Sequence, residues 1–422
     1  MSAGRVCMLL HNAFTHDTRV LKEARTLVDA GYDVRVLAVQ DGATPPLEHR
    51  HGFTVIRLPS DPVPTRLLRR ALARRGRVSA IGRVAAPLDR PAEGPRARLE
   101  RLGLRLHLLL EHLRYLRLAG AAACSHAADV YVAHDLETLP AAARAARAGG
   151  ARLVYDSHEL FTERTSTGRG GRLAWRAVER RLIPRADVVV TVSESIADEL
   201  VRRYGVPRPV VVRNLPSGAP DDRGASPLRA QLGIDGDARV ALYLGGLQRG
   251  RGLEPLIRAA ASMPGVVLVA MGPGHPRYVD SLRELARELR AGERIVVAPP
   301  VSAAEVVRWA RGADVGVAPI QDVSLSYYLS LPNKLFDYIA AGLPVVASDF
   351  PEIRRVVSEG RLGALCRPDD PADIARAIHW TIDDPERHER LRAAARAAAV
   401  KLTWEREGQK LLAAVAPERP AG

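Results

Sequence analysis

Lysine is scarce in this chain, with only four among its 62 basic residues, so nearly every cationic side chain is an arginine. Cysteine is scarce too: Cys7, Cys124 and Cys366 are isolated and lack metal-ligand spacing. We therefore expect reduced thiols packed as small apolar residues, and neither a disulfide framework nor a cysteine zinc site.

Long apolar runs are also missing. No run approaches the ~18 consecutive apolar residues of a membrane span. Residues 1–14 show neither the basic start nor the small-residue cleavage pattern of a secretory leader, so we expect a cytoplasmic protein. The 422 residues, 47 % of them hydrophobic, are enough for two domains.

Several catalytic signatures do not occur. The sequence has no P-loop, no HExxH pair, no serine-nucleophile motif and no GxGxxG in register. Carboxylates clustered at metal-ligand spacing are missing as well, so we expect no metal site and no obligatory cofactor.

Short apolar strands alternate with helical segments along the chain, which predicts an α/β fold built on parallel sheets. A loop rich in proline, glycine and charge, residues 216–227, interrupts this alternation before it restarts. We predict two Rossmann-like, doubly wound domains, 1–215 and 216–402, with a C-terminal helix within 403–422 packing back on the first.

One of the four lysines, Lys334, lies at the start of a predicted helix. Ser330 is the expected N-cap, and Gly342 the expected residue just past the helix end. Asp337 follows Lys334 by three residues and so shares its helix face. A cation at a helix N-terminus, with a carboxylate one turn deeper, suits a nucleotide diphosphate. The alternative is an ordinary solvated ion pair.

Polar and glycine residues follow several predicted strands. Since ligands of open parallel sheets bind beyond the carboxyl ends of the strands, these junctions are the expected functional sites. Each residue also has a structural alternative, such as helix capping or turn formation. The candidates are His134, His158, Glu159, Gly246, Arg249, Arg251 and Gly272.

The segment from Arg66 to Arg117 holds fourteen arginines against four acids, interleaved with leucine. Leucines from Leu102 to Leu116 repeat at helical spacing, which predicts an amphipathic helix with a cationic face. Such a helix suits peripheral contact with the anionic inner face of the cell membrane. The alternative is ordinary core packing. One aromatic residue, Tyr115, is too few for nucleic-acid stacking, so no nucleic-acid partner is expected.

Taken together, these motifs resemble the family 4 (retaining, group 1) glycosyltransferases of the GT-B fold. The similar stretches cover almost the whole chain: residues 17–39, 154–161, 186–217, 243–257, 313–353 and 402–415. The resemblance implies two domains facing each other across a cleft, a UDP- or GDP-linked sugar donor and an acceptor.

The resemblance also implies roles for particular residues. Arg251 and Lys334 match the basic pair on the donor diphosphate, with Arg249 a further candidate. Asp337 lies at the position of the family's ribose-binding glutamate, and His134 matches the histidine near the transferred sugar. The backbone around Val301 corresponds to the loop that holds the base.

The chain departs from the family pattern at two places. Leu329 replaces the glutamate that usually contacts the donor sugar, so Ser330 or the main chain of Leu331 is expected to supply that contact. The glycine pair of the first N-terminal loop is absent, which makes the residues of the replacement segment the candidates for the acceptor side: His11, Asn12, His16 and Asp17.

The implied function is sugar transfer with retention of anomeric configuration, either to a lipid-linked glycan intermediate or to a small-molecule natural product. Two alternatives stay open. One is a nucleotide-sugar epimerase or hydrolase on the same fold, and the other is a membrane-surface binding protein with a degenerate donor site.

Overall fold

The computed structural model describes residues 3–59, 95–165, 168–218 and 224–416. The chain divides into two compact units. Unit 1 comprises Met1–Thr191, Ala197–Val211 and Lys410–Gly422, and unit 2 comprises Val192–Ile196 and Val212–Gln409. No helix in the described ranges is both long enough and apolar enough to cross a bilayer.

Unit 1 is built on a sheet that has eight strands in the described residues, in the order β3-β4-β2-β1-β5-β6-β7-β8. The strands are β1 (Gly4–Leu9), β2 (Tyr32–Gln40), β3 (Leu47–Arg50), β4 (Phe53–Pro59), β5 (Val130–His134), β6 (Arg152–Ser157), β7 (Val188–Thr191) and β8 (Val210–Val211). The helices are α1 (Thr18–Asp29), α2 (Pro95–Ser125), α3 (Leu139–Gly149), α4 (Arg169–Leu182) and α5 (Glu194–Tyr204).

Unit 2 is built on a sheet that has six strands in the described residues, in the order β11-β10-β9-β12-β13-β14. The strands are β9 (Arg239–Leu244), β10 (Val266–Met271), β11 (Ile295–Ala298), β12 (Val315–Ala318), β13 (Val345–Ser348) and β14 (Gly363–Cys366). The helices are α6 (Leu228–Leu232), α7 (Leu253–Ala261), α8 (Pro276–Glu288), α9 (Val306–Ala310), α10 (Leu325–Tyr328), α11 (Asn333–Ala340), α12 (Pro351–Glu359), α13 (Pro371–Ile382) and α14 (Pro385–Ala399). The last helix, α15 (Trp404–Val415), begins in unit 2 and belongs to unit 1 from Lys410 onward.

Alternating side chains of the unit 2 strands enter two separate apolar cores. Leu242 and Leu244 of β9 pack into one core with Leu335 of α11. Ala241 and Tyr243 of the same strand pack into the other. Helices therefore cover both faces of this sheet, as a doubly wound fold requires.

The predicted α/β class with two parallel-sheet domains is confirmed. One part of the sheet prediction was incomplete, because β3 pairs antiparallel with β4 at the edge of unit 1. The turn between them contains His51 and Gly52, both at positive φ, which closes the hairpin tightly. The domain boundaries, including the grouping of the C-terminal helix, stay a prediction.

Candidate active site

Two glycine turns lie in contact at the carboxyl edge of the unit 2 sheet. Gly245 follows β9 at φ +115° and Gly272 follows β10 at φ +157°. The Gly245 amide donates to the Met271 carbonyl at 3.0 Å. A Cβ at Gly272 would lie 2.0 Å from the Gly245 carbonyl oxygen, so only glycine permits this approach. The half-buried Gly245 has no side chain, so a phosphate can approach its backbone closely.

Lys334 points at this pair of turns. Its Nζ lies 3.4 Å from where a Cβ of Gly245 would stand, and 3.4 Å from the centre of the Tyr243 ring. The side chain is 8 % exposed, and Nζ has no hydrogen-bond partner among the described residues. Burial, with Arg251 adding to it, holds the pKa of Lys334 well below its usual value, and Asp337 opposes the shift. A buried unpaired amine of this kind has a strong preference for an anionic partner.

The two arginines of the loop after β9 differ in their surroundings. The Arg251 guanidinium lies 4.7 Å from the Tyr327 ring centre, and its charge acts on both Tyr243 and Lys334. Arg249 lies 5.8 Å from the ring centre of Tyr278 instead. Helix α7 begins at Leu253, two residues after Arg251. Arg251 and Lys334 therefore form a cationic pair beside the glycine turns.

The predicted N-cap of α11 was wrong. The helix begins at Asn333 with Pro332 as its N-cap residue, and no side chain caps it. Ser330 instead donates its hydroxyl to the Tyr327 carbonyl at 2.8 Å, which closes the preceding helix α10. Proline supplies the extended backbone needed before the helix but no side-chain acceptor. The end was predicted correctly, since Gly342 adopts φ +72° just past the helix.

The other donor-side candidates lie around this edge of unit 2. Tyr243 donates its hydroxyl to the Gly246 carbonyl at 2.9 Å, which fixes the loop after β9. Val301 is half-buried after β11, and Leu331 is buried in the unit 2 core. Asp337 is half-buried on α11 and acts electrostatically on Lys334.

His134 in unit 1 is buried at the end of β5, in a polar cluster with buried Asp156 and half-buried His158. Its Nδ1 lies 3.3 Å from Asp156 Oδ2 and 3.2 Å from His158 Nε2. Its Nε2 is buried and has no hydrogen-bond partner in the described ranges. Burial lowers the pKa of His134 against the opposing effect of Asp156. The neutral imidazole can therefore present Nε2 to a hydroxyl or a developing charge.

His158 directly follows β6 and contacts the carboxylate of Asp156, which lies on that strand. Its Nε2 donates to Asp156 Oδ2 at 2.8 Å, and its backbone amide donates to Asp135 Oδ1 at 3.1 Å. Burial opposes protonation, but Asp156 and Asp135 raise the pKa of His158 to about 10. The ring is therefore a fixed cation at neutral pH.

Two members of this cluster were missed in the sequence. Arg19 donates to both oxygens of Asp156, at 3.1 and 2.8 Å, and its Nε lies 2.9 Å from Glu23 Oε1. Burial and Asp156 raise the pKa of Glu23 to about 8. Both residues sit on α1, more than 130 positions from Asp156 in the sequence, so no local spacing could have indicated them.

The acceptor-side candidates of the first loop divide into two kinds. Asn12 and Asp17 support local structure: Asn12 donates to Asp17 Oδ2 at 3.0 Å, and Asp17 caps α1 through the Val20 amide. His11 is half-buried and His16 is exposed. Glu159 pairs with Arg164 at 2.9 Å. The functional roles of all these residues stay predictions.

The arginine-rich segment is described only in part. Residues 60–94 lie outside the described residues, and α2 covers Pro95–Ser125. In the second half of α2 the buried positions are Tyr115, Ala119, Gly120 and Ala123. Three leucines of the same helix are exposed: Leu109, Leu110 and Leu113. The predicted leucine face of α2 is therefore exposed at Leu109 and Leu113 and does not pack into the core there.

Comparison with protein families gives two matches. The family described as "Glycosyl transferases group 1" matches residues 226–398, and the "Glycosyl transferase 4-like domain" matches residues 63–215. Among individual proteins, D-inositol 3-phosphate glycosyltransferase 1 of Catenulispora acidiphila is 32 % identical over 306 residues, 68 % of this chain and 71 % of that protein. The D-inositol 3-phosphate glycosyltransferase of Xylanimonas cellulosilytica is 30 % identical, and the match spans 58 % of this chain and 60 % of that protein.

Solved structures share the fold over nearly their full length. Sucrose-phosphate synthase from Thermosynechococcus elongatus gives a TM-score of 0.73 at 18 % identity, covering 96 % of this chain and 97 % of that one. Anabaena Alr3699/HepE in complex with UDP-glucose gives 0.70 at 17 % identity, covering 97 % and 98 %. With the family matches over both halves, these findings show that the chain is an enzyme that belongs to the group 1 glycosyltransferases.

Proposed function

We propose that the protein transfers a sugar from a UDP- or GDP-linked donor to an acceptor hydroxyl, with retention of anomeric configuration. The observation that carries the donor assignment is the buried, unpaired amine of Lys334 beside Arg251 and the glycine turns. The uncapped N-terminus of α11 adds backbone N–H groups to the same cationic site. A diphosphate is the ligand that matches this set of groups.

The proposed chemistry follows from that charge distribution. When the glycosidic bond breaks, negative charge develops on the leaving diphosphate, and fixed cations in a dry site stabilise it strongly. Lys334 and Arg251 are the catalytic residues in that role. In unit 1, Nε2 of His134 accepts a hydrogen bond from a hydroxyl of the transferred sugar, because Asp156 holds the opposite ring nitrogen.

The acceptor is proposed from the relatives. Two of them are named D-inositol 3-phosphate glycosyltransferases, which favours a small phosphorylated acceptor over a lipid-linked glycan. Inositol 3-phosphate is therefore the first acceptor to test, followed by a lipid-diphosphate glycan intermediate.

A thermal-shift panel with UDP, GDP, ADP and dTDP tests the donor site, since a ligand that binds only the folded protein raises the melting temperature. One nucleotide should raise it, and Lys334→Ala should abolish the shift. Lys401 is exposed and provides the matched control, Lys401→Ala. A nucleotide shift that survives Lys334→Ala would remove Lys334 from the donor site.

Turnover tests the chemical role separately. Lys334→Ala should lower kcat by roughly 10² or more, the scale seen when one preorganised electrostatic donor is lost. The product's anomeric configuration, determined by NMR, tests retention. Rearranged or free sugar formed without acceptor would favour the epimerase or hydrolase alternative.

A membrane contact is a second candidate role, favoured by the exposed Leu109, Leu110 and Leu113 of α2. Co-sedimentation with anionic and with neutral liposomes tests it. Retention on anionic liposomes that is lost in a triple leucine-to-serine variant would support the contact.

A further inference from the structure

Three residues distant in the sequence meet in unit 1, away from the Asp156 cluster. His11 follows β1, His112 lies on α2, and Glu137 lies between β5 and α3. One ligand atom from each lies within 4.8 Å of the others. His11 Nδ1 and Glu137 Oε1 are 3.3 Å apart.

These separations suit a metal ion. Zinc binds histidine nitrogen and carboxylate oxygen at about 2.0–2.2 Å, which puts neighbouring ligand atoms of a tetrahedral site roughly 3.3 Å apart. The His11–Glu137 edge already has that length. Two imidazoles and one carboxylate are also a ligand set that zinc sites with an open position use.

His112 supplies the second observation. Both of its ring nitrogens are buried and have no hydrogen-bond partner among the described residues. A buried polar atom without a partner costs free energy, so an imidazole placed this way needs a ligand. Trp175 packs edge-on against His112 with ring centres 5.2 Å apart, and Tyr115 packs on His11 at 4.7 Å. The two rings are therefore held in place.

Of the two histidine clusters in the described part of unit 1, the cluster of His11, His112 and Glu137 is the better candidate metal site, because protein cations compete less for its carboxylate. Asp156 already accepts two hydrogen bonds from Arg19, so the charge beside His134 and His158 is neutralised. Glu137 has a longer ion pair: Arg164 lies 3.7 Å from its Oε2. The same arginine lies closer to Glu159, at 2.9 Å from that carboxylate. Glu137 Oε1 is left facing His11.

We propose that His11, His112 and Glu137 bind one divalent transition-metal ion of the zinc class. The side chains of His11 and Glu137 are 25 % and 29 % exposed, which gives the ion a route from solvent and leaves its fourth position open to water or an oxygen ligand. The cluster was not expected from the sequence, because metal-ligand spacing is not visible at positions 11, 112 and 137.

Cobalt binding tests the proposal independently of transferase activity. Full-length, tag-free protein is stripped with a chelator and titrated with Co²⁺, whose visible absorption reports low-coordinate nitrogen and oxygen ligation. We expect one equivalent to bind, and Zn²⁺ to displace it. His112→Ala and Glu137→Gln should each weaken Co²⁺ binding at least ~10-fold, as loss of a ligand exceeds the effect of losing an outer partner.

The control is His379→Ala. His379 Nδ1 lies 3.0 Å from Asp383 Oδ2, a histidine–carboxylate pair that forms no three-ligand cluster in the described residues. Its removal should leave Co²⁺ affinity unchanged. His112→Ala removes a ring and could prevent folding. In that case the isosteric variant Glu137→Gln decides the outcome. Absence of stoichiometric binding, or equal affinity in Glu137→Gln and the parent, would overturn the proposal.

Discussion

The Nζ of buried Lys334 contacts the face of the Tyr243 ring but has no hydrogen-bond partner in the described residues, so its charge should cost stability when no ligand is bound. Its lowered pKa leads to the same expectation. The folded state binds the proton of the Lys334 amine less tightly than the unfolded chain does, so protonation of Lys334 favours unfolding. Lys334→Met keeps the volume and removes the charge. We expect it to raise the ligand-free Tm by roughly 2–4 °C, which corresponds to about 1 kcal/mol in a domain of 150–250 residues.

The same substitution should abolish nucleotide binding, so its two effects have opposite signs. Differential scanning fluorimetry with and without UDP or GDP measures both in one experiment. A lower ligand-free Tm in Lys334→Met would mean that the amine contributes packing or contacts that outweigh its desolvation.

The cluster around Asp156 should make stability depend on pH. The pKa of His158 is about 10 in the folded protein, above its ordinary value of 6.5, and that of Glu23 is about 8, above its ordinary value of 4.5. A group whose pKa is raised on folding contributes stability below the unfolded pKa, and this is lost as pH rises through the folded pKa. We therefore expect Tm to fall by several degrees from pH 6 to pH 9.

His158→Gln should flatten that fall, whereas His379→Gln, at an exposed histidine, should leave it unchanged. Melting curves recorded at constant ionic strength make the comparison. A pH profile that is equally steep in His158→Gln would remove His158 from the explanation.

Single residues were predictable where local pattern sufficed. Lys334 was conspicuous because lysine is scarce and because a helix begins beside it. Arg19 and His112 gave no such signal. Their roles depend on partners at least 25 positions away in the sequence, Asp156 and Glu137, which only the fold brings within reach.

At the scale of elements, contact between the turns after β9 and β10 depends on Gly272. A side chain there would collide with the Gly245 carbonyl, 2.0 Å from the added Cβ. We expect Gly272→Ala to destabilise the protein by about 1–3 kcal/mol, the scale of a strained backbone position, and to weaken nucleotide binding by displacing Gly245 from Lys334.

Gly265→Ala is the matched control. Gly265 lies just before β10 with open space where its Cβ would stand. Urea unfolding and a nucleotide titration of both variants make the test. Equal stabilities would show that the two turns separate without cost.

Whole strands were easier to predict than their ends. Nearly continuous apolar runs located β5, β9 and β12, because strands that are covered on both faces consist mostly of apolar residues. The antiparallel strand β3 was missed, since its residues alternate between exposed and half-buried at a sheet edge. The start of α11 was misplaced because Ser330 was assigned as its N-cap. In the structure Ser330 donates its hydroxyl to Tyr327 of the preceding helix, α10.

For the whole molecule, the candidate nucleotide groups and the groups whose pKa is raised on folding lie in different units. The candidate nucleotide groups, Lys334 and Arg251, lie in unit 2, and the pH-sensitive groups, His158 and Glu23, lie in unit 1. Units with their own cores commonly unfold as separate steps. Scanning calorimetry should therefore show two transitions, of which the nucleotide raises one and a change from pH 7 to pH 9 lowers the other.

The variants assign the transitions. Lys334→Ala should remove the nucleotide effect without altering the fall in stability of unit 1 at high pH, and His158→Gln should do the reverse, because Lys334 and His158 lie in different units. If the two units unfolded as one cooperative structure, a single transition would respond to both treatments. Both variants would then change the same transition, and binding energy gained at Lys334 would stabilise the Asp156 cluster as well.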